Sequence, residues 1–132
     1  NSVRMAWRSM SQWSLTLPMI PASMNARERQ SHWVRRRELQ QITRAVSVLA
    51  REQRIPEAQG KRRVFVTIHK TKRSRVTDDP ANRDSRAKSI LDAMVATGLL
   101  VDDSDEWLDW QHVHEGDKRD QVETVITIED AA

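Results

Sequence analysis

The chain has 132 residues, enough for one hydrophobic core, and its lack of cysteine excludes a disulfide framework and a cysteine-based zinc site. The net charge of +3 conceals an uneven distribution: residues 1–77 carry 17 Lys and Arg against 4 Asp and Glu, whereas residues 78–132 carry 5 against 15. The basic half predicts an anionic partner, and the acidic half predicts bound cations or self-association.

The first predicted element is a strand over "QWSLTLP", where apolar and polar residues alternate up to Pro18. A surface loop follows, and a long amphipathic helix is predicted over about residues 26–54. The next strand covers "RRVFVTIHKTKR", in which Val64, Val66 and Ile68 share one face.

A central helix is predicted over about residues 84–97, and Gly98 ends it. Two further strands are predicted over "EWLDWQHVHEG" and "QVETVITIED". The residues expected to share one face of the last strand are Val122, Thr124, Ile126 and Ile128. This element order predicts an α+β fold, with a small mixed sheet of about four strands and two main helices packed on it.

The terminal segments and the apolar runs of the sequence predict its domain boundaries and its cellular location. Residues 1–11 are expected to form a disordered or accessory segment before one domain over residues 12–130. The longest apolar run, "ILDAMVATGLLV", is interrupted by Asp92 and is too short to cross a bilayer. No secretion-like leader opens the chain, so we expect a cytoplasmic protein without a membrane partner.

One lysine and several aspartates lie on or beside the central helix. They are Asp79, Asp84, Lys88, Asp92, Asp102 and Asp103. The four-residue spacing of Asp84, Lys88 and Asp92 forms one stripe, which alone would be explained by surface ion pairs of a few tenths of a kcal/mol. Carboxylates that converge from separate elements require a cation, and hard oxygen ligands suit Mg²⁺ or Mn²⁺. A lysine among them can neutralise charge that develops on a phosphate.

The segment before these acids is strongly basic, because "KRRVFVTIHKTKRSR" holds seven Lys and Arg and no acid. Its last part, with Lys70, Lys72, Arg73 and Arg75, is predicted to follow phosphates toward the acidic residues. The alternative is a solvated strand end. Basic residues that hold a nucleic-acid backbone beside an acidic metal site favour a nuclease.

Two motifs resemble those of RusA-type Holliday junction resolvases, a family common in phages and prophages. "LPMIPASMN" resembles the proline-serine-asparagine loop after that family's first strand, and "DPANRDSRAKSILDAMVATGLLVDD" resembles its Asp-x-Asp-Asn, lysine, Leu-Asp-Ala-Leu-like and closing Asp-Asp signature. The resemblance covers roughly residues 12–130. It implies a homodimer that uses Mg²⁺, or Mn²⁺ as a substitute, and no small-molecule cofactor. The implied reaction is resolution of four-way DNA junctions by attack of metal-activated water on the phosphodiester.

The resemblance and the charge pattern together predict the site residues. Catalytic roles are expected for Asp79, Lys88 and Asp103. The predicted metal ligands are Asp79, Asp84, Asp92, Asp102 and Asp103. The predicted DNA-binding residues are Asn25, Lys70, Lys72, Arg73, Arg75, Asn82, Arg83 and Arg86.

Ala81 departs from the family pattern, since it occupies the second aspartate of the Asp-x-Asp segment. Three explanations are open: Asp84 or Asp78 supplies the missing oxygen, the protein binds branched DNA or a host partner without cutting, or the alanine was introduced to inactivate the enzyme. Another class of function is also open, a basic regulatory module whose arginine-rich helix docks on duplex DNA.

Overall fold

The computed structural model of the chain describes residues 12–75 and 77–131, so the predicted accessory segment lies outside the described residues. Two pairs of consecutive helices separate the first strand, the second strand and the last three strands. The strands are β1 (Gln12–Leu17), β2 (Arg62–His69), β3 (Leu108–Asp109), β4 (Val113–Glu115) and β5 (Glu123–Asp130). The helices are α1 (Met24–Arg29), α2 (His32–Glu52), α3 (Pro80–Ser85) and α4 (Lys88–Ala96).

The strands form one mixed sheet in the order β1-β5-β2-β3, with β4 also paired to β2. β5 is antiparallel to both β1 and β2, whereas β3 and β4 are parallel to β2. The predicted α+β class is confirmed. The single strand predicted over "EWLDWQHVHEG" is wrong in detail, because it forms two short pieces, β3 and β4, along one edge of β2.

The core lies between one face of the sheet and the helices α2 and α4. Fully buried side chains on the sheet include Leu15, Leu17, Val64, Val66, Ile68, Ile126 and Ile128. On the helices they include Ile42, Val46, Ile90 and Met94. These positions recur every second residue in the strands and every three or four in the helices, so the sequence pattern predicted them correctly. The pattern is wrong for Val122, which precedes β5 and is exposed, and for Trp33, which has helical spacing with Ile42 and Val46 but is 69% exposed.

Each predicted long helix is divided in two by a short interruption. The helix predicted over residues 26–54 breaks at Gln30 and Ser31, where the Ser31 hydroxyl accepts a hydrogen bond from Val34 N at 3.3 Å and starts α2. The helix predicted over residues 84–97 is interrupted between α3 and α4. There Ser85 Oγ donates to Asn82 O, a local bond of the kind that competes with helix continuation.

In the part of the chain that the structure describes, we find no helix with the length and apolar character that crossing a membrane requires.

Candidate functional site

An acidic cavity of about 210 Å³ lies where α3, α4 and two loops meet. We use the name "acidic cavity" for the space lined by Asp84, Lys88, Leu91, Asp92, Asp103 and Trp110. Three of the predicted metal ligands and the predicted catalytic lysine therefore share one cavity. Their sources are separate: the end of α3, the first half of α4, and the loop that follows α4.

The turn after α4 brings Asp103 back to that helix. Gly98 has φ +83°, a left-handed conformation that suits glycine at a helix end. Leu99 and Leu100 are then almost fully buried, so the apolar core holds the returning chain in place. Arg62 reinforces this placement, because its buried guanidinium donates to Leu99 O at 3.0 Å.

Lys88 and Asp92 face each other across one turn of α4, with Nζ 3.7 Å from Oδ1. Their side chains are 58% and 37% exposed, so water screens the pair and its contribution to stability is small. Asp103 is exposed and forms no ion pair with any residue that the structure describes. These groups are therefore available to a ligand that enters the cavity.

Asp84 has a different environment from the other two aspartates. Its Oδ1 accepts from Val113 N at 2.8 Å, and its Oδ2 lies 2.8 Å from His112 Nδ1. Burial opposes ionisation of Asp84, but the hydrogen bonds from His112 and Val113 outweigh it and lower the pKa of the carboxyl group. The carboxylate is thus ionised and fixed against the start of β4.

Asp84 also lines a second cavity of about 530 Å³. The other residues around this cavity are Pro80, Arg83, His112, Val113, His114 and Glu115. Arg83 Nε is buried and has no hydrogen-bond partner among the described residues. The positive charge of Arg83 also helps to lower the pKa of Asp84. The contact of His112 with Asp84 and the second cavity could not be read from the sequence, because both depend on how the chain before β4 packs against α3.

Asp79 and Asp102 do not line the acidic cavity. Asp79 is the N-cap of α3, where its Oδ1 accepts from Asn82 N at 2.7 Å. Asp102 is exposed in the loop after α4. Ala81 is exposed within α3, and Asp84 follows it by one helical turn. Of the two aspartates considered as substitutes for the missing acid, Asp84 is therefore the one that lines the cavity.

The donor set of the acidic cavity suits a hard divalent ion, with one restriction. Within residues 12–75 and 77–131, no three His, Asp or Glu side chains are arranged to hold one ion together. Mg²⁺ commonly takes only one or two protein carboxylates and completes its octahedron with water and substrate phosphate. Asp92 and Asp103 fit this more open arrangement, whereas Asp84 is already engaged by His112 and Val113.

A second group of charged residues forms what we call the Asp78 network: Lys70, Asp78, Asn82, Arg86 and Glu115. The Asp78 carboxylate is only 4% exposed and accepts two hydrogen bonds from the Arg86 guanidinium, at 2.8 and 3.1 Å. These hydrogen bonds from Arg86 lower the pKa of Asp78 against the effect of burial, and Lys70 and Asn82 lower it further. Buried Lys70 lies 2.8 Å from Glu115 and 3.8 Å from Asp78.

The Asp78 network also fixes the loop before α1. Arg86 donates to Pro21 O at 2.7 Å, and Ser85 Oγ accepts from Met24 N at 2.7 Å. Asn25 N donates to Asn82 Oδ1 at 3.4 Å. Of the predicted DNA-binding residues, Lys70, Asn82 and Arg86 thus have partners within the chain. The burial of Lys70 and Arg86 could not be read from the sequence, because nothing there distinguishes them from exposed basic residues.

The other predicted DNA-binding residues are more accessible. Lys72 is 71% exposed and lies 3.3 Å from Asp120, whereas Arg73 and Arg75 are exposed and form no ion pair with a described residue. Asn25 is exposed on α1.

When the chain is compared with known proteins, no family model matches it and no curated protein matches it.

Proposed function

We propose that this chain is a Mg²⁺-dependent endodeoxyribonuclease that acts on branched DNA, with four-way junctions as its substrate. The observation that carries the proposal is the acidic cavity, where Asp84, Asp92 and Asp103 from separate segments meet Lys88 in a space open to solvent. Carboxylate oxygens and a lysine around one accessible space form a donor set that suits a hydrated divalent ion and a phosphate group.

Asp92 and Asp103 are the residues that would hold the ion. When bound, Mg²⁺ would supply a Lewis acid for the phosphodiester and lower the pKa of an attacking water. Lys88 lies beside Asp92 and is exposed, so its ammonium group can approach a phosphate oxygen and stabilise negative charge that develops there. Asp84 keeps its fixed position through Val113 and His112, and it separates the acidic cavity from the second cavity.

The basic residues supply the binding of the DNA backbone in this proposal. Arg83 lines the second cavity together with Asp84 and forms no ion pair with a described residue. Arg73 and Arg75 are exposed and form no ion pair with a described residue in the segment that precedes α3. Contacts of this kind give affinity and register without reading the base sequence, which suits an enzyme that recognises the shape of a junction.

A homodimer follows from the symmetry of the substrate. A four-way junction has two-fold symmetry, and resolving it requires one cut on each of two matching strands. A symmetric dimer with one acidic cavity in each subunit would meet this requirement directly. Because DNA is intracellular, the proposal places the protein in the cytoplasm of a bacterial or phage-infected cell.

The proposal is tested with a synthetic four-way junction and a linear duplex of the same sequence, each incubated with Mg²⁺, Mn²⁺ or EDTA. We expect paired symmetric nicks in the junction with either metal, and no cleavage in EDTA. Asp103→Asn should lower the cleavage rate at least about 100-fold, because it removes a proposed ligand. Asp105→Asn is the matched control, since Asp105 is an exposed aspartate outside the cavity. Equal rates for the two variants, or cleavage in EDTA, would contradict the proposal.

A second candidate function is junction binding without cleavage. It is favoured by Ala81 and by the engagement of both Asp84 oxygens, which leave fewer carboxylate oxygens for an ion. In this case the wild-type protein binds the junction and does not cut it in Mg²⁺ or Mn²⁺. Ala81→Asp would then confer cleavage if the missing carboxylate is the cause.

A further inference from the structure

The outward face of α2 carries a row of arginines at a seven-residue spacing. We use the name "arginine stripe" for Arg37, Arg44 and Arg51, all of which are exposed. Seven residues are almost two helical turns, with a drift of about 20°, so the three side chains leave one side of the helix. The opposite side carries Ile42 and Val46, which are fully buried in the core. The stripe therefore points directly away from the core.

The arginine stripe has no acidic partner among the described residues. Arg62, Arg63, Arg86 and Arg119 each pair with a carboxylate. No arginine of α2 forms an ion pair with any described residue. The only acids on that helix, Glu38 and Glu52, lie off the stripe, and Glu38 accepts from Ala22 N. The fold thus leaves an uncompensated line of positive charge.

The stripe lies on the same layer of the molecule as the acidic cavity. Helices α2 and α4 contact each other and pack on the same face of the sheet. α4 carries Lys88 and Asp92 on its accessible side. The two helices therefore form one layer on the sheet, with Lys88 and Asp92 accessible on α4 and the arginine stripe accessible on α2.

We propose that the arginine stripe binds the phosphate backbone of a duplex arm of the DNA substrate. From Arg37 to Arg51 the helix rises about 21 Å, which corresponds to about six base-pair steps along a duplex. Arginine is always charged and can form two parallel hydrogen bonds with one phosphate. The proposal rests on the proposed function, because it takes the anionic partner to be the DNA that the acidic cavity cuts.

The surroundings of the stripe favour DNA over a lipid surface. A helix that lies on a membrane turns a continuous apolar face to the lipid, whereas α2 buries its continuous apolar face against the sheet and exposes only Trp33, Val34 and Val48 among its large apolar side chains. On the exposed side, Gln40 and Gln41 lie between the arginines. Polar, hydrogen-bonding side chains between cations suit a hydrated phosphate backbone.

The test measures binding of the full chain to a fluorescent four-way junction and to a linear duplex, in Ca²⁺ and over a range of salt concentrations. The variant R37Q/R44Q/R51Q should bind at least about tenfold more weakly than wild type. The slope of log affinity against log salt should fall by up to about 0.9 for each phosphate that the variant no longer neutralises. Arg44→Gln alone should reduce this slope by about 0.9, while Arg44→Lys keeps the charge and should retain the slope.

Lys61→Gln is the matched control for Arg44→Gln, since Lys61 is an exposed cation at the start of β2, away from α2. It should bind as wild type does. The stripe proposal is overturned if Arg44→Gln and the triple variant have the same affinity for DNA, and the same salt dependence of that affinity, as Lys61→Gln. If the wild type cleaves the junction but the stripe variants bind it as the wild type does, only the stripe inference fails. If the wild type does not cleave the junction but the stripe variants bind it more weakly than the wild type, only the nuclease proposal fails. Absence of DNA binding by the wild type removes both.

Discussion

Asp78 and Asp103 belong to the same acidic part of the sequence, yet the fold gives them opposite surroundings. The Asp78 side chain is 4% exposed and shares two hydrogen bonds with Arg86, with Lys70 nearby. Asp103 is exposed, has no ion pair among the described residues, and lines a cavity with other carboxylates. In the Asp78 network the charges are compensated inside the protein, whereas in the acidic cavity Asp103 is left accessible to a ligand. Neighbouring acids of the sequence thus separate into a buried, paired set and an accessible set.

The largest effect on stability is expected when the Asp78 network loses its arginine. Arg86→Ala leaves a buried carboxylate without its main partner, so we expect the free energy of unfolding to fall by about 3 kcal/mol. Arg73→Ala removes an exposed arginine that has no ion pair among the described residues, and its effect on stability should stay within about 0.5 kcal/mol. Urea denaturation of both variants measures the difference. If the two variants are equally stable and Arg86→Ala binds DNA more weakly, Arg86 contacts DNA and does not stabilise the fold.

A smaller effect is expected from pH, and its direction follows from the lowered pKa of Asp78. Because the folded-state pKa lies below the ordinary value of 3.8, Asp78 contributes stability above that pH. The contribution is lost as the pH falls through the folded-state value, at about 1.4 kcal/mol for each unit by which the pKa is lowered. The stability difference between wild type and Asp78→Asn should therefore shrink as the pH is lowered from about 6 to 2. A difference that stays constant over that range would show that the charge of Asp78 is not what stabilises the fold.

The sequence predicted much of the fold because its periodic signals are strong. Val64, Val66 and Ile68 alternate on β2, and Ile42 and Val46 recur at helical spacing on α2, so the core could be inferred. The divisions between α1 and α2 and between α3 and α4 were missed. Local hydrogen bonds mark these two breaks without disturbing the apolar pattern: Ser31 Oγ accepts from Val34 N, and Ser85 Oγ donates to Asn82 O.

The sequence predicted which residue types would form the candidate site, but it predicted only some of the residues that line the cavity. Lys88, Asp92 and Asp103 share the cavity because α4 and the buried Leu99-Leu100 turn place them together. The motif alone could not distinguish Asp79, which caps a helix, from Asp84, which lines the cavity. Both are aspartates in or beside α3, and it is the path of this helix that places Asp84, but not Asp79, at the cavity.

The most direct test of the acidic cavity as a metal site is Mn²⁺ binding, followed by the decrease of the electron paramagnetic resonance signal of free Mn²⁺. Wild type and Asp105→Asn should bind the ion equally, and Asp103→Asn should bind it at least about tenfold more weakly. If Asp103→Asn binds Mn²⁺ as tightly as wild type does, the ion is held elsewhere, and the acidic cavity loses its role in the proposed reaction.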